Sequence, residues 1–153
     1  MKPKLHIVLY EPEIPQNTGN IGRLCVGADC SLHLIKPIRF MLDDKAIRRA
    51  GLDYWQHLDL HIHNSFEDFC SLFPNGKMHF ATTKTRIGYW DTKFSEGDIL
   101  IFGPESRGLP ESLLNQYPDS CIRIPMSDKI RSINLANSVG IVMYEALRQI
   151  AAK

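Results

Sequence analysis

Residues 5–10, L-H-I-V-L-Y, form a nearly continuous apolar run. A run of that kind reads as a strand buried on both faces, and such strands belong to parallel sheets covered by helices. Similar segments return at 31–35, 58–62, 78–81, 99–102 and 121–124, the last closed by Pro125, which cannot donate to a ladder. Helical patterns fall between them. Ile21, Leu24, Cys25 and Ala28 share one stripe, with Asn17 or Thr18 as its cap, while residues 11–16, carrying Pro12 and Pro15, read as loop. Residues 43–51 have an acidic start and a glycine stop, and Ser65-Phe66-Glu67-Asp68 fits a capping box opening a helix through Leu72. Pro110 suits the first turn of a short helix reaching Leu114. Leu135, Val139, Val142, Met143, Ala146 and Ile150 mark the last helix. Residues 89–94 fit no single pattern. The alternation predicts one α/β domain over 1–153, a mainly parallel sheet with helices on both faces.

In such sheets the ligand site lies beyond the carboxyl ends of the strands. Three polar or glycine-rich loops fall there, after Ala81, after Phe102 and after Ile124. The expectation is a pocket built from those loops. Ile141 and Tyr144 widen the apolar surface of the last helix beyond one stripe, which suggests a second buried side and a dimer interface.

A formal net charge of +1 argues neither for nor against nucleic acid, although basic residues group locally at Lys45/Arg48/Arg49, Lys84/Arg86 and Lys129/Arg131. Such groups become a footprint only where the fold brings them to one face. The cysteines at 25, 30, 70 and 121 show neither a C-x-x-C pair nor zinc-site spacing. His57, His61 and His63 can share a face, but without a carboxylate or cysteine partner they read as surface or packing residues. No apolar leader or membrane-length run appears, which points to reduced thiols and the cytoplasm.

Three polar constellations stand at strand ends or helix starts. Asn17-Thr18-Gly19-Asn20-Ile21-Gly22-Arg23 opens a helix, where free N–H groups suit a phosphate, and Arg23 can hold one bidentately or be ordinary surface. It is neither G-x-G-x-x-G nor a P-loop, so a dinucleotide cofactor is poorly supported. Gly103-Pro104-Glu105-Ser106-Arg107-Gly108 follows an apolar strand, where glycine admits a ligand close to the backbone. Glu105 there can accept from a ribose or sit in an exposed turn. Ser132-Ile133-Asn134 begins the last helix, and its side chains can cap that helix or hold a ligand.

Taken together, N-T-G-N-I-G-R, I-F-G-P-E-S-R-G and I-P-M…R-S-I-N-L-A-N-S-V resemble, in order and spacing, the three motifs of the SPOUT class of RNA methyltransferases. The likeness spans essentially the whole chain. E-P-E-I-P-Q-N-T-G-N-I-G-R and R-R-A-G-L-D-Y are similar to the small TrmL (YibK-like) tRNA 2′-O-methyltransferases. The resemblance implies a parallel sheet with a C-terminal trefoil knot, which general connection rules treat as nearly absent. It also implies S-adenosyl-L-methionine as methyl donor, no metal and a homodimer. The implied substrate is the anticodon stem-loop of leucine tRNAs, methylated on the ribose of the wobble cytidine or modified uridine.

By motif position the resemblance places the cofactor at Ala81, Thr82, Gly103, Ile124 and Met126, with Ser132 closing the site. It gives Arg23 the role of orienting the ribose hydroxyl and an adjacent phosphate, with Asn17, Glu105, Ser132 and Asn134 holding Arg23, substrate and cofactor in place. The rivals are a methyltransferase for another tRNA position or for ribosomal RNA, and a non-catalytic α/β RNA-binding protein. Intact Arg23, Glu105, Ser132 and Asn134 weigh against the last.

Overall fold

A computed structural model describes residues 2–43, 45, 47, 49 and 53–152. Six strands, β1 (His6–Tyr10), β2 (Ser31–Ile35), β3 (Leu60–His63), β4 (Met78–Ala81), β5 (Ile99–Phe102) and β6 (Cys121–Ile122), form one sheet in the order β3-β2-β1-β5-β4-β6. Every named pair is parallel. The helices with both ends among the described residues are α1 (Pro15–Gly27), α2 (Phe66–Leu72), α3 (Glu111–Leu114) and α4 (Leu135–Ala151). The short helix expected over 43–51 falls largely outside the described residues.

Neighbouring residues of the central strands feed opposite cores, as a period of two requires. Ile7 and Leu9 of β1 and Leu100 and Phe102 of β5 pack beneath α1 and α4, with Ile21, Cys25, Val139, Val142 and Met143. Val8, Ile99 and Ile101 face the other way, against Phe66, Phe69 and Phe80. Burial on both faces explains why β1 and β5 read as unbroken apolar runs.

The sequence limits hold closely for β2, β4 and β5. β3 begins two residues later than its alternation suggests, after a 3-10 turn at Trp55–His57. β6 is cut to two residues, and Arg123 then makes only an isolated parallel bridge to Gly88. The ambiguous stretch at 89–94 contains a 3-10 turn, Tyr89–Asp91. α2 is capped as expected, Ser65 Oγ accepting from Asp68 N at 3.1 Å.

α1 corrects the reading of its start. It begins at Pro15, so 15–16 are helix, and neither Asn17 nor Thr18 is its cap. Proline is well suited to a first helical position, where its missing N–H costs nothing. The flanking residue, Ile14, has no side chain able to accept from the helix. The acceptor comes from elsewhere in the chain.

Candidate functional site

β1 lies between β2 and β5, so the chain winds outward from it in both directions, and the crevice of such a sheet opens at that switch point. There the loops after β4, β5 and β6 close on a cavity of ≈ 460 Å³. Ala81 to Lys84, Phe102 to Leu109, Ile124, Met126 and Arg131 to Leu135 line it, joined by Ile14 and Asn17 from the start of α1 and Ser138 from α4. Its size falls within the roughly 300–1,000 Å³ typical of small-molecule sites.

Glu105 is the missing helix cap. Its carboxylate accepts from the backbone N–H of Glu13 at 2.9 Å and of Ile14 at 2.8 Å. It thus satisfies groups ahead of a helix start, where a negative charge is favoured. Glu13 returns the contact, accepting from Ser106 N at 2.8 Å and Ser106 Oγ at 3.0 Å. Those two donors, the amide foremost, hold the Glu13 carboxyl below its usual range. Arg107 completes the clasp with a 2.7 Å ion pair to Glu11, a residue in the left-handed region at φ 51°. The loops after β1 and β5 are therefore locked to one another by side chains from both.

Asn17, 6% exposed, joins that clasp to the third loop. Its Nδ2 donates to Glu105 at 3.3 Å, and its Oδ1 accepts from Asn134 Nδ2 at 3.1 Å. Asn134 is also the cap of α4, its Oδ1 accepting from Asn137 N at 3.2 Å. One carboxamide thus both caps a helix and ties α1 to α4 across the mouth of the site. Ser132 lines the cavity with no hydrogen-bond partner for its hydroxyl among the described residues.

Gly103 is fixed by close approach. A Cβ there would collide with the backbone of Leu109 and stand 2.5 Å from Gly108 C. The 103–109 loop can fold back on itself only over a glycine.

Of the sequence-predicted residues, Asn17, Ala81, Thr82, Gly103, Glu105, Ile124, Met126, Ser132 and Asn134 all surround this cavity. Arg23 does not. It is exposed on α1, with its guanidinium 4.5 Å from the centre of the Tyr54 ring. The sequence pattern does not assign Leu109, Leu135 or Ser138, which line the cavity, to the site, nor does it show the Glu13–Ser106 clasp. It places Arg131 in a basic group without assigning it to the site. Of the three cations on the wall, Lys84 pairs with Glu111 at 2.8 Å and Arg107 with Glu11. Arg131 has no carboxylate partner among the described residues and remains available to an anion. No cluster of three or more His, Cys, Asp or Glu able to hold a metal occurs among the described residues.

The wound parallel sheet and its strand-end cavity, tied by Asn17, define an α/β protein built around a small-molecule site between three loops. Residues 4–144 match the SpoU rRNA Methylase family, and the chain belongs to that family. It is 47% identical over 147 residues to the tRNA (cytidine(34)-2'-O)-methyltransferase of Escherichia coli strain K12, covering 95% of this chain and 94% of that one. A solved structure described as structural insights into the 2-OH methylation of C/U34 on tRNA superposes with a TM-score of 0.93 at 45% identity, covering 97% of both chains. The SpoU methyltransferase AviRb from Streptomyces viridochromogenes, solved in complex with the cofactor AdoMet, shares the fold at a TM-score of 0.81 and 23% identity. That match covers 97% of this chain and 58% of the other.

Proposed function

We propose that this protein transfers a methyl group from S-adenosylmethionine to the ribose 2′-hydroxyl of the wobble nucleotide, cytidine or modified uridine, in leucine tRNAs. The observation that carries the reading is the convergence of three strand-end loops on one cavity whose wall Asn17 ties together through Glu105 and Asn134. Similarity to a tRNA cytidine methyltransferase at 47% identity supports the substrate class. A shared fold with an AdoMet complex supports the methyl donor.

The cavity fits such a donor. Leu109, Ile124 and Leu135 offer apolar wall, and the loop backbones offer N–H and C=O groups for a base and a ribose. The donor, when bound, supplies an electrophilic methyl on sulfonium. A neutral hydroxyl is a weak nucleophile, so the chain has to orient it and ease the loss of its proton. Glu105 and Asn17 are already committed to backbone and side-chain partners, and their work is to hold the loops. Ser132 keeps a free hydroxyl at the wall, and Arg131 offers charge to a substrate phosphate.

Arg23 orients the hydroxyl and its neighbouring phosphate rather than acting as a base, since guanidinium stays protonated. Its guanidinium lies over the Tyr54 ring, a cation–π contact at 4.5 Å from the ring centre. Because Arg23 does not line the cavity of its own subunit, we place it at the cavity of a second copy in a homodimer. Much of the rate then comes from geometry.

The test is transfer of labelled methyl from S-adenosylmethionine to total RNA from cells lacking this gene, followed by nucleoside identification. Label in 2′-O-methylated wobble nucleosides of leucine tRNAs is expected. Label confined to ribosomal RNA or to another tRNA position would overturn the substrate assignment.

A further inference from the structure

Trp90 is 62% exposed, and nothing in the cavity or its hydrogen-bond network uses it. It sits on a strap that runs directly on from the cavity wall at Ala81–Lys84 and returns along the open edge of β6. There Arg123 N donates to Ile87 O at 2.7 Å and Tyr89 N donates to Arg123 O at 2.9 Å. The Arg123 guanidinium reaches back to Thr83 O, on the cavity wall, also at 2.7 Å. The strap is therefore pinned beside Ile124, another wall residue, and Trp90 follows the pinned residue immediately.

The indole has a defined seat. A Cβ on Gly88 would stand 2.8 Å from Trp90 Nε1 and 3.0 Å from Cδ1, so one side of the ring rests on bare glycine backbone. Tyr89 supports it with ring centres 5.6 Å apart, and Ile87 beside it is 41% exposed. Charge on the strap has one predominant sign. Arg86 and Lys93 carry no carboxylate partner among the described residues, and Asp91 is the single acid between 83 and 93. Asp91 Oδ2 lies 3.6 Å from that same Gly88 position, while Lys84, Arg86 and Lys93 outnumber this acid along the strap. An exposed, backed aromatic on a strap of net positive charge matches a single-stranded nucleic acid, in which each base offers a π-face and each link a phosphate.

We propose that Trp90 is a stacking platform for an unpaired base of the RNA substrate, outside the reaction cavity, with Arg86 and Lys93 contacting the flanking phosphates. The proposal rests on the RNA-methylating function above and adds a recognition site to it. Stacking contributes to binding of the RNA alone, so Trp90 sets KM for RNA without touching the reacting atoms.

The experiment titrates an anticodon stem-loop RNA into the full chain in a Trp55→Phe background, leaving Trp90 as the sole tryptophan, and measures methyl transfer in parallel. Emission from Trp90 should fall on binding. Trp90→Ala should raise KM for RNA about tenfold with kcat unchanged, and Trp90→Phe should recover most of the loss. Gly88→Ala, which displaces the indole while leaving it in the chain, should resemble Trp90→Ala. Trp90→Ala should leave the salt dependence of binding unaltered, whereas Arg86→Gln should lower its slope by about one. RNA binding with unchanged emission and an unchanged KM in Trp90→Ala would overturn the platform while leaving the methyltransferase reading intact. Quenching by RNA with no methyl transfer would do the reverse.

Discussion

Asn134 donates to Asn17 across 117 positions of sequence, at 3.1 Å, and so fastens the start of the last helix to the start of the first. The partners of that bond are themselves bonded, Asn17 to Glu105 and Asn134 to the backbone of its own helix. The network joins two of the three loops of the cavity to α1, so its members should behave as a unit.

A double-mutant cycle on Asn17→Ala and Asn134→Ala should give a coupling energy of about 1 kcal/mol by urea unfolding. Each single variant should also weaken S-adenosylmethionine binding, measured calorimetrically. Additive losses would mean that the contact contributes nothing of its own.

Glu105→Ala removes the only side-chain acceptor seen at the N-terminus of α1 among the described residues. Loss of these acceptors, like loss of a cap, costs about 0.5–2 kcal/mol. The distinguishing readout is local: amide exchange at Glu13 and Ile14 should accelerate while that of the β5 strand stays slow. Uniform acceleration would show general destabilisation in place of a lost cap.

A buried histidine layer predicts the pH response. His33, 2% exposed, contacts His6 at 3.0 Å and His63 at 2.9 Å between ring nitrogens, under Phe69. Burial first, and then the neighbouring histidines, push His33 down to about 3. The unfolded chain, titrating near 6.5, binds the proton more readily, so this stability is full above about pH 6.5 and declines as pH falls toward about 3. Between pH 7.5 and 4.5 the loss should be about 2–3 kcal/mol, read from urea midpoints. His33→Leu should flatten that slope, and an unchanged slope would place the titrating group elsewhere.

Mixed dimers test the placement of Arg23. In a heterodimer of Arg23→Ala and Ser132→Ala chains, sites shared between subunits put both lesions in one cavity and leave the other intact. About half of the wild-type activity should then return, although each homodimer is inactive. Sites contained within one subunit would leave every cavity damaged and the heterodimer inactive.

The strands were legible because burial on two faces leaves an apolar run that needs no partner to be recognised, as at Ile99–Phe102. The cavity was legible as a place because strand ends fix it. The start of α1 was not, since its cap, Glu105, arrives from 91 positions away and a local rule sees only Asn17 and Thr18. The histidine layer was equally hidden. His61 and His63 are visible as a same-face pair, but only the register that sets His33 beside His61 brings β2 into it. Arg23 lay in a motif with Asn17, yet six residues along a helix turn a side chain well away from its starting face.

The most direct measurement uses two synthetic leucine tRNA anticodon stem-loops, differing only in whether the wobble nucleotide is ribo or 2′-deoxy. Each is incubated with the protein and S-adenosylmethionine and weighed by mass spectrometry. One added methyl is expected on the ribo form, located at the wobble ribose, and none on the deoxy form. Equal methylation of both, or a methyl at any other position, would contradict it.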